Sequence, residues 1–339
     1  MKCRSKFGSG VTGRRKFGCN GEMDPAARSQ AHLQTLMQTR LQSVGSHEAD
    51  LLHGARLAAE NAGRLICQAV QTRGLKDILT TREEKGDGSP VSAIDLLAHD
   101  SLARDLAKLA AFPIVSEEDP DGPLALEHIE ADGFFWIVDP LDGTRDFLAG
   151  EKTFAVALAL MRKLLPEERE AAGGFAHPYL GVIHDPSGER TWGAVRFGNL
   201  QKWVRGQPAK LPRESDPRPR RADGELRVLG SRSIPSHRLQ ELYRFWGTET
   251  VERMGSALKF ALIAEGSFDV YPRFGPTAEW DTAAGQVLLE VSGGGIVPIA
   301  LPVRPMPYGK PAWLNPGFLA AGSQSLLAKW VPTLVQKLR

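Results

Sequence analysis

The stretch Trp136-Ile-Val-Asp139-Pro-Leu-Asp142-Gly-Thr144 passes from apolar strand to acidic turn within nine residues, and its reading decides the fold. Phe134 to Val138 are large apolar or β-branched residues, the composition of a strand buried on both faces. Pro140 has no N–H for the ladder, so the spacing predicts that the strand ends there. Asp139 and Asp142 flank the break, and the turn exposes the Leu141 carbonyl, so three oxygens can converge on one hard cation such as magnesium. Gly143 tolerates unusual backbone angles, and Thr144 opens a predicted helix whose free N–H groups favour a phosphate beside the metal. Taken alone, an Asp-Pro-x-Asp-Gly run also fits an ordinary surface turn. The apolar strand leading in, and two more acidic clusters elsewhere, favour the metal site.

Composition sets the outer bounds. The chain has 339 residues, 42% hydrophobic and 24% charged, enough for one large or two medium soluble domains. Forty-two basic residues against 40 acidic ones leave a net charge of +2, too little for a general attraction to nucleic acid or membrane. Cys3, Cys19 and Cys67 are odd in number and show no CxxC spacing, which argues against a disulfide framework or zinc site and fits a reducing cytoplasm. No apolar run approaches the roughly 20 residues of a membrane span, and no signal peptide is evident.

Residues 1–45 are basic, rich in Gly, Ser and Gln, and lack an apolar period, so they read as a disordered tail. From Asp50, Leu51, Ala55, Ala58, Ala62, Leu65, Ile66 and Ala69 recur at helical spacing. After a charged loop at 80–88, a second helix carries Asp95 near its start and a predicted apolar face of Leu96, Leu97, Leu102, Leu106 and Leu109. A short strand at 113–115 leads into Ser116-Glu-Glu-Asp119, and strand ends are where α/β sites gather. Strands follow at 154–161, 179–183 and 191–195, the last two as a hairpin around Asp185-Pro-Ser-Gly188, with His184 read as structural. The Pro- and Arg-rich stretch 205–224 reads as an exposed loop between an N-terminal half, 46–205, and a C-terminal half, 225–339. In the latter, Ser256 is placed as the N-cap of a helix, and Asp281 lies in the first turn of a helix that ends at Gly293 to Gly295. For Asp95 and Asp281 alike, favouring the helix dipole is the competing explanation.

Ser116-Glu-Glu118, Asp139-Pro-Leu-Asp-Gly-Thr144 and Trp280-Asp-Thr-Ala-Ala-Gly285 together resemble the signature of the lithium-sensitive inositol monophosphatase superfamily. Gly255-Ser-Ala-Leu-Lys-Phe260, Ala264-Glu-Gly266, Tyr271-Pro-Arg-Phe-Gly-Pro-Thr277 and Glu279-Trp-Asp281 are most similar to its 3'(2'),5'-bisphosphate nucleotidases. The resemblance covers about residues 50 to 335 and implies an α/β fold layered αβαβα. It further implies two or three magnesium ions on Glu117, Asp139, the Leu141 carbonyl, Asp142 and Asp281, with Asp95, Thr144 and Glu117 as the catalytic set. The implied substrate contacts are Glu117, Leu141, Asp142, Gly143, Thr144, Ser256, Lys259, Arg273 and Asp281. Relatives often have Thr and Ala where Ser92 and Ile94 stand here.

The implied activity is hydrolysis of adenosine 3',5'-bisphosphate by a cytoplasmic enzyme, with peripheral contact at the inner membrane left open. Inositol phosphates and fructose bisphosphate are the alternative substrates. A non-catalytic nucleic-acid or protein partner is the other class, disfavoured because crowded carboxylates repel one another without a metal to hold. A small nucleotide is thus the expected partner, with no stable nucleic-acid complex; the sequence leaves the oligomeric state open.

Overall fold

The computed structural model describes residues 47–73, 83–84, 90–91, 93–119, 129–130, 132–212, 226–232, 234–247 and 251–337, with 35, 38, 39, 41 and 42 before them. The chain divides into two compact units, 1–45 and 46–339, and every element named below lies in the second. Most of the expected tail, and most of the 80–88 and 205–224 loops, fall outside the described residues.

Helix α1 (Glu48–Arg73) is followed by the short pair β1 (Glu83–Glu84) and β2 (Pro90–Val91), then by helix α2 (Ala93–Leu109). Next come β3 (Ile114–Ser116), β4 (Phe134–Asp142), α3 (Thr144–Leu148), β5 (Ala155–Lys163), α4 (Pro166–Ala172), β6 (Ala176–Asp185), β7 (Arg190–Val195), β8 (Gln201–Val204) and β9 (Gln207–Ala209). Strands β3 to β9 form one seven-stranded sheet in sequence order, parallel only between β3 and β4. The C-terminal part supplies β10 (Val228–Ser231), α5 (Ser236–Trp246), β11 (Val251–Met254), α6 (Leu258–Ala264), β12 (Val270–Arg273), β13 (Thr277–Ala278), α7 (Trp280–Val291), β14 (Gly295–Pro298), β15 (Leu314–Asn315), β16 (Phe318–Ala321) and α8 (Gln324–Lys337). Five of these strands make the second sheet, in the order β11-β10-β12-β16-β14.

Stacking follows from which faces are apolar. Helices α1 and α2 cover one face of the large sheet, and α6 and α7 lie between its other face and the small sheet. The small sheet's outer face is closed by α8 and by Leu242 and Trp246 of α5, which gives the αβαβα layering. Buried on both sides, β4 and β5 read as nearly continuous apolar runs. The middle layer fits closely: a Cβ on Gly181 of β6 would meet the Ala284 carbonyl oxygen of α7 at 2.5 Å. Among the described residues no helix is long and apolar enough to cross a membrane.

Three expectations need correction. Strand β4 does not stop at Pro140 but runs on to Asp142, because a bulge inserts one residue between the pairs Asp139–Ala157 and Asp142–Ala155. A bulge position requires no ladder donor, so proline is tolerated there. The inner face of α2 is Ile94, Asp95, Ala98, Ser101, Leu102 and Leu106, while Leu96 and Leu97 are 49% and 41% exposed. Small residues turn inward because α1 is itself lined by Ala55, Ala58, Ala59 and Ala62, and two such faces pack closely. Within the 205–224 stretch, residues 207–209 are strand β9, paired with β8.

Candidate active site

Strands β3, β4 and β12 and the starts of α3, α6 and α7 meet at one cleft of about 320 Å³, whose lining includes Glu117, Asp139, Asp142, Gly143, Thr144, Ser256, Lys259, Arg273 and Asp281. Glu117 follows β3 directly, and its N–H donates to the Val138 carbonyl (3.2 Å), which fixes the loop alongside β4. Asp139 and Asp142 stand on either side of the bulge, so the irregularity that lets proline into the strand also turns two carboxylates toward one place. Carboxylate oxygens of Glu117, Asp139 and Asp281 lie within 4.8 Å of one another. The Leu141 N–H donates to Asp139 Oδ1 (3.1 Å), and the Ala278 N–H donates to Asp281 Oδ2 (3.0 Å), orienting both side chains through the backbone.

Gathering carboxylates out of water has a predictable electrostatic result. Burial, then Glu117, Asp142 and Asp281, hold the Asp139 carboxyl well above its ordinary range. Asp281 is raised likewise, by burial first and then by Asp142 and Glu117. Burial pushes Asp142 up to about 6 against the opposing pull of Lys259 and of the Ala257 N–H that donates to it. Such a set favours protonation or a cation in its midst, and its hard oxygen donors fit magnesium.

Thr144 opens α3 directly after Gly143, whose φ of 92° is available to glycine without strain. Its Oγ1 lies 3.2 Å from Asp95 Oδ1 and 3.0 Å from the Leu141 carbonyl oxygen. Asp95 is only 1% exposed, far more enclosed than a carboxylate that merely favours a helix dipole at the surface. The opening turn of α2 brings it across to the threonine.

The remaining residues come from the C-terminal part. Ser256 is not the N-cap of α6: it sits one residue earlier, at φ 56°, and Ala257 takes the cap position. Placing the Ala257 N–H against Asp142 requires this turn, and the Ser256 hydroxyl accepts from the Leu258 N–H (3.3 Å). Lys259 is buried, and its Nζ donates to the carbonyls of Ser256 (2.6 Å) and Met254 (3.2 Å). Its ammonium also lies over the Tyr271 ring, 4.9 Å from the centroid, and burial lowers its pKa to about 8. Arg273, at the end of β12, donates to Ser231 Oγ (2.8 Å) and the Pro276 carbonyl (3.2 Å).

Sequence reading missed Arg145, Asp146, Ser231 and Arg232, which also line the cleft. Arg232 forms ion pairs with Asp146 (3.1 Å) and Glu151 (3.2 Å), tying the loop after β10 to α3. The signal for the first two was their place directly after Thr144; nothing local marked Arg232. His184, read as structural, contacts Thr191 Oγ1 (2.9 Å), and burial lowers its pKa to about 4, so it is neutral at pH 7.

Known proteins are similar to this chain in fold and sequence. The model of the inositol monophosphatase family matches residues 47–339. The chain is 35% identical over 262 residues to the 3'(2'),5'-bisphosphate nucleotidase CysQ of Shigella flexneri, covering 77% of this chain and 95% of that protein. Its Salmonella typhimurium counterpart is 33% identical over 264 residues, with the same coverage. Among solved structures, CysQ from Bacteroides thetaiotaomicron superposes with a TM-score of 0.59 at 29% identity, over 80% of this chain and 97% of that one. An inositol monophosphatase from Thermotoga maritima shares the fold at a TM-score of 0.57 and 19% identity, over 83% and 94%. A family match across the whole second unit, joined to relatives above 30% identity over nearly their full length, makes the chain a member of the inositol monophosphatase family, and with it a hydrolase of the phosphatase kind.

Proposed function

We propose that this enzyme is a magnesium-dependent 3'(2'),5'-bisphosphate nucleotidase that converts adenosine 3',5'-bisphosphate to AMP and phosphate. The observation that carries the reading is that one cleft holds both an acidic cluster, Glu117, Asp139, Asp142 and Asp281, and a set of cations, Arg145, Arg232, Lys259 and Arg273. A monophosphate uses only the first, whereas a bisphosphate needs both. Likeness to the CysQ nucleotidases supports the same substrate class. The reading includes a cytoplasmic setting and a small nucleotide as partner.

Glu117, Asp139, Asp142, Asp281 and the Leu141 carbonyl are the groups that would hold magnesium. Bound there, it supplies Lewis acidity toward the phosphate and lowers the pKa of water. The chain's own residues do the rest. Thr144 has a single hydroxyl proton, so when that proton is directed to Asp95 an oxygen lone pair faces the cleft and can accept from a water. Asp95 then takes the proton that Thr144 passes on, and the threonine orients the water for attack on phosphorus. The Gly143 and Thr144 N–H groups are the candidates for the scissile phosphate, where charge develops in the transition state. Lys259 and Arg273 are the candidates for the second phosphate.

The test is turnover with magnesium of adenosine 3',5'-bisphosphate, inositol 1-phosphate and fructose 1,6-bisphosphate in parallel. The nucleotide is expected to show the highest kcat/KM, and a preference for either other substrate would overturn the assignment while leaving a metal-dependent phosphatase.

A further inference from the structure

Asp281 is held by a turn that is itself splinted by a distant loop. Residue Glu279, two positions earlier, is 0% exposed, yet its carboxylate points away from the acidic cluster's chemistry and into the segment 307–315. Its Oε2 accepts from the Gly309 N–H (2.7 Å), and its Oε1 accepts from the Lys310 N–H (3.0 Å) and from Lys310 Nζ (2.5 Å). Lys310 Nζ also donates to Asn315 Oδ1 (2.8 Å), and the Asn315 amide donates to Thr282 Oγ1 (2.7 Å) and to the Ala278 carbonyl (3.4 Å). Tyr308 OH donates to Thr282 Oγ1 (3.1 Å), and the Glu279 N–H donates to the Trp313 carbonyl (2.8 Å). Strand pairing of β13 with β15 runs along the same edge.

Every residue from Ala278 to Thr282 except Trp280 and Asp281 is thus tied to the 307–315 segment. Asp281 is anchored within the turn by the Ala278 N–H. Simple attachment of a loop would be met by apolar contacts, without burying a carboxylate and an ammonium at a desolvation cost. A directional network has another consequence: it leaves the first turn of α7 little freedom to rotate, and that rotation is what would move the Asp281 carboxylate relative to Glu117 and Asp139.

We infer that Glu279 and Lys310, with Asn315, are positioning residues for the metal site, setting the direction from which Asp281 reaches the cluster. The inference rests on the magnesium reading above. None of the three lines the cleft, so they act through the turn that carries Asp281. Loss of groups that orient a metal ligand lowers metal affinity by about tenfold to a hundredfold.

The experiment titrates magnesium against Glu279→Gln and Lys310→Arg in the full-length chain, with two readouts: the thermal shift on binding, and the half-saturating concentration for turnover. Glu279→Gln is expected to raise both magnesium midpoints about tenfold, with kcat at saturating magnesium within about threefold of wild type. Lys310→Arg, which retains a cation and donors, should stay within about twofold. Should Glu279→Gln not fold, Asn315→Ser removes the amide that joins Lys310 to Thr282 and Ala278, and the same rise is expected. Unmoved midpoints with a lowered melting temperature in the absence of metal would reduce the network to a loop anchor and overturn the inference. A wild-type chain that neither shifts nor turns over with magnesium would instead remove the metal reading beneath it.

Discussion

Replacing Asp142 by Asn should stabilise the metal-free protein while removing magnesium-dependent turnover. Burial carries the Asp142 carboxyl from its ordinary 3.8 to about 6 even after the favourable effects of Lys259 and the Ala257 N–H are included. At about 1.4 kcal/mol per tenfold, that displacement makes the ionised side chain cost the fold about 3 kcal/mol. Because the folded value lies above the ordinary one, the cost is absent below about pH 3.8, grows through about pH 6 and is complete above it. Asn keeps an oxygen for the Ala257 N–H but loses the attraction to Lys259, so roughly 1 to 3 kcal/mol should be recovered at pH 8. For a unit of this size that is several degrees in melting temperature. The assay is a thermal melt with EDTA at pH 8 and pH 5: the variant should melt above wild type at pH 8, with a smaller margin at pH 5. Added magnesium should reverse the order by stabilising only the wild type. A variant that melts below wild type at pH 8 without metal would show that Asp142 serves the fold, and would refute the reasoning.

Thr144→Ala should lower kcat by at least about a hundredfold with little change in KM, because the hydroxyl positions a water chiefly in the transition state; steady-state kinetics with normal kcat and raised KM would reduce Thr144 to a phosphate contact. Arg273→Gln should cost about 2 to 3 kcal/mol in kcat/KM toward the bisphosphate and little toward a substrate lacking the second phosphate, and equal losses on both would sink its assigned role. With burial holding Lys259 at about 8, kcat/KM for the bisphosphate should fall as pH rises through that value, while Lys259→Arg, if it folds, should move the fall to higher pH; a flat profile to pH 9.5 would exclude the ammonium from binding.

Much of the acidic half of the site was legible because its chemistry lies in contiguous sequence. Asp139, Leu141, Asp142, Gly143 and Thr144 fall within six residues, and turn chemistry alone predicts that their oxygens and N–H groups share one place. Glu117 and Asp281 were legible as acidic residues at the ends of regular elements. Periodicity failed where small residues did the packing: it counted Leu96 and Leu97 inward because leucine is usually buried, whereas Ala98 and Ser101 face α1. Pro140 misled for a related reason, since a bulge suspends the ladder rule that proline otherwise enforces. Partners far apart in sequence left no local trace. Arg232 meets Asp146 across 86 positions, and Glu279 meets Lys310 across 31, so only the assembled layers bring them together.

Lys259 shows how one buried cation can belong both to the fold and to the site. An ammonium has three protons, and two are directed at the Ser256 and Met254 carbonyls, which shape the turn that aims the Ala257 N–H at Asp142. The third proton is not aimed at either carbonyl, and the proposed second phosphate is its candidate acceptor. Removing the lysine would therefore withdraw the proposed phosphate contact and loosen the turn beside an acidic residue in the same step. Arg273 differs, because its contacts to Ser231 and Pro276 lie outside that turn. Loss of Arg273 removes neither of the two carbonyl contacts that hold that turn, so a substrate-selective effect is expected to be read more directly at Arg273 than at Lys259. For the same reason the second phosphate is best assigned through the arginine, with the lysine tested by charge-conserving replacement and pH, where the turn is kept and only the ionisation moves.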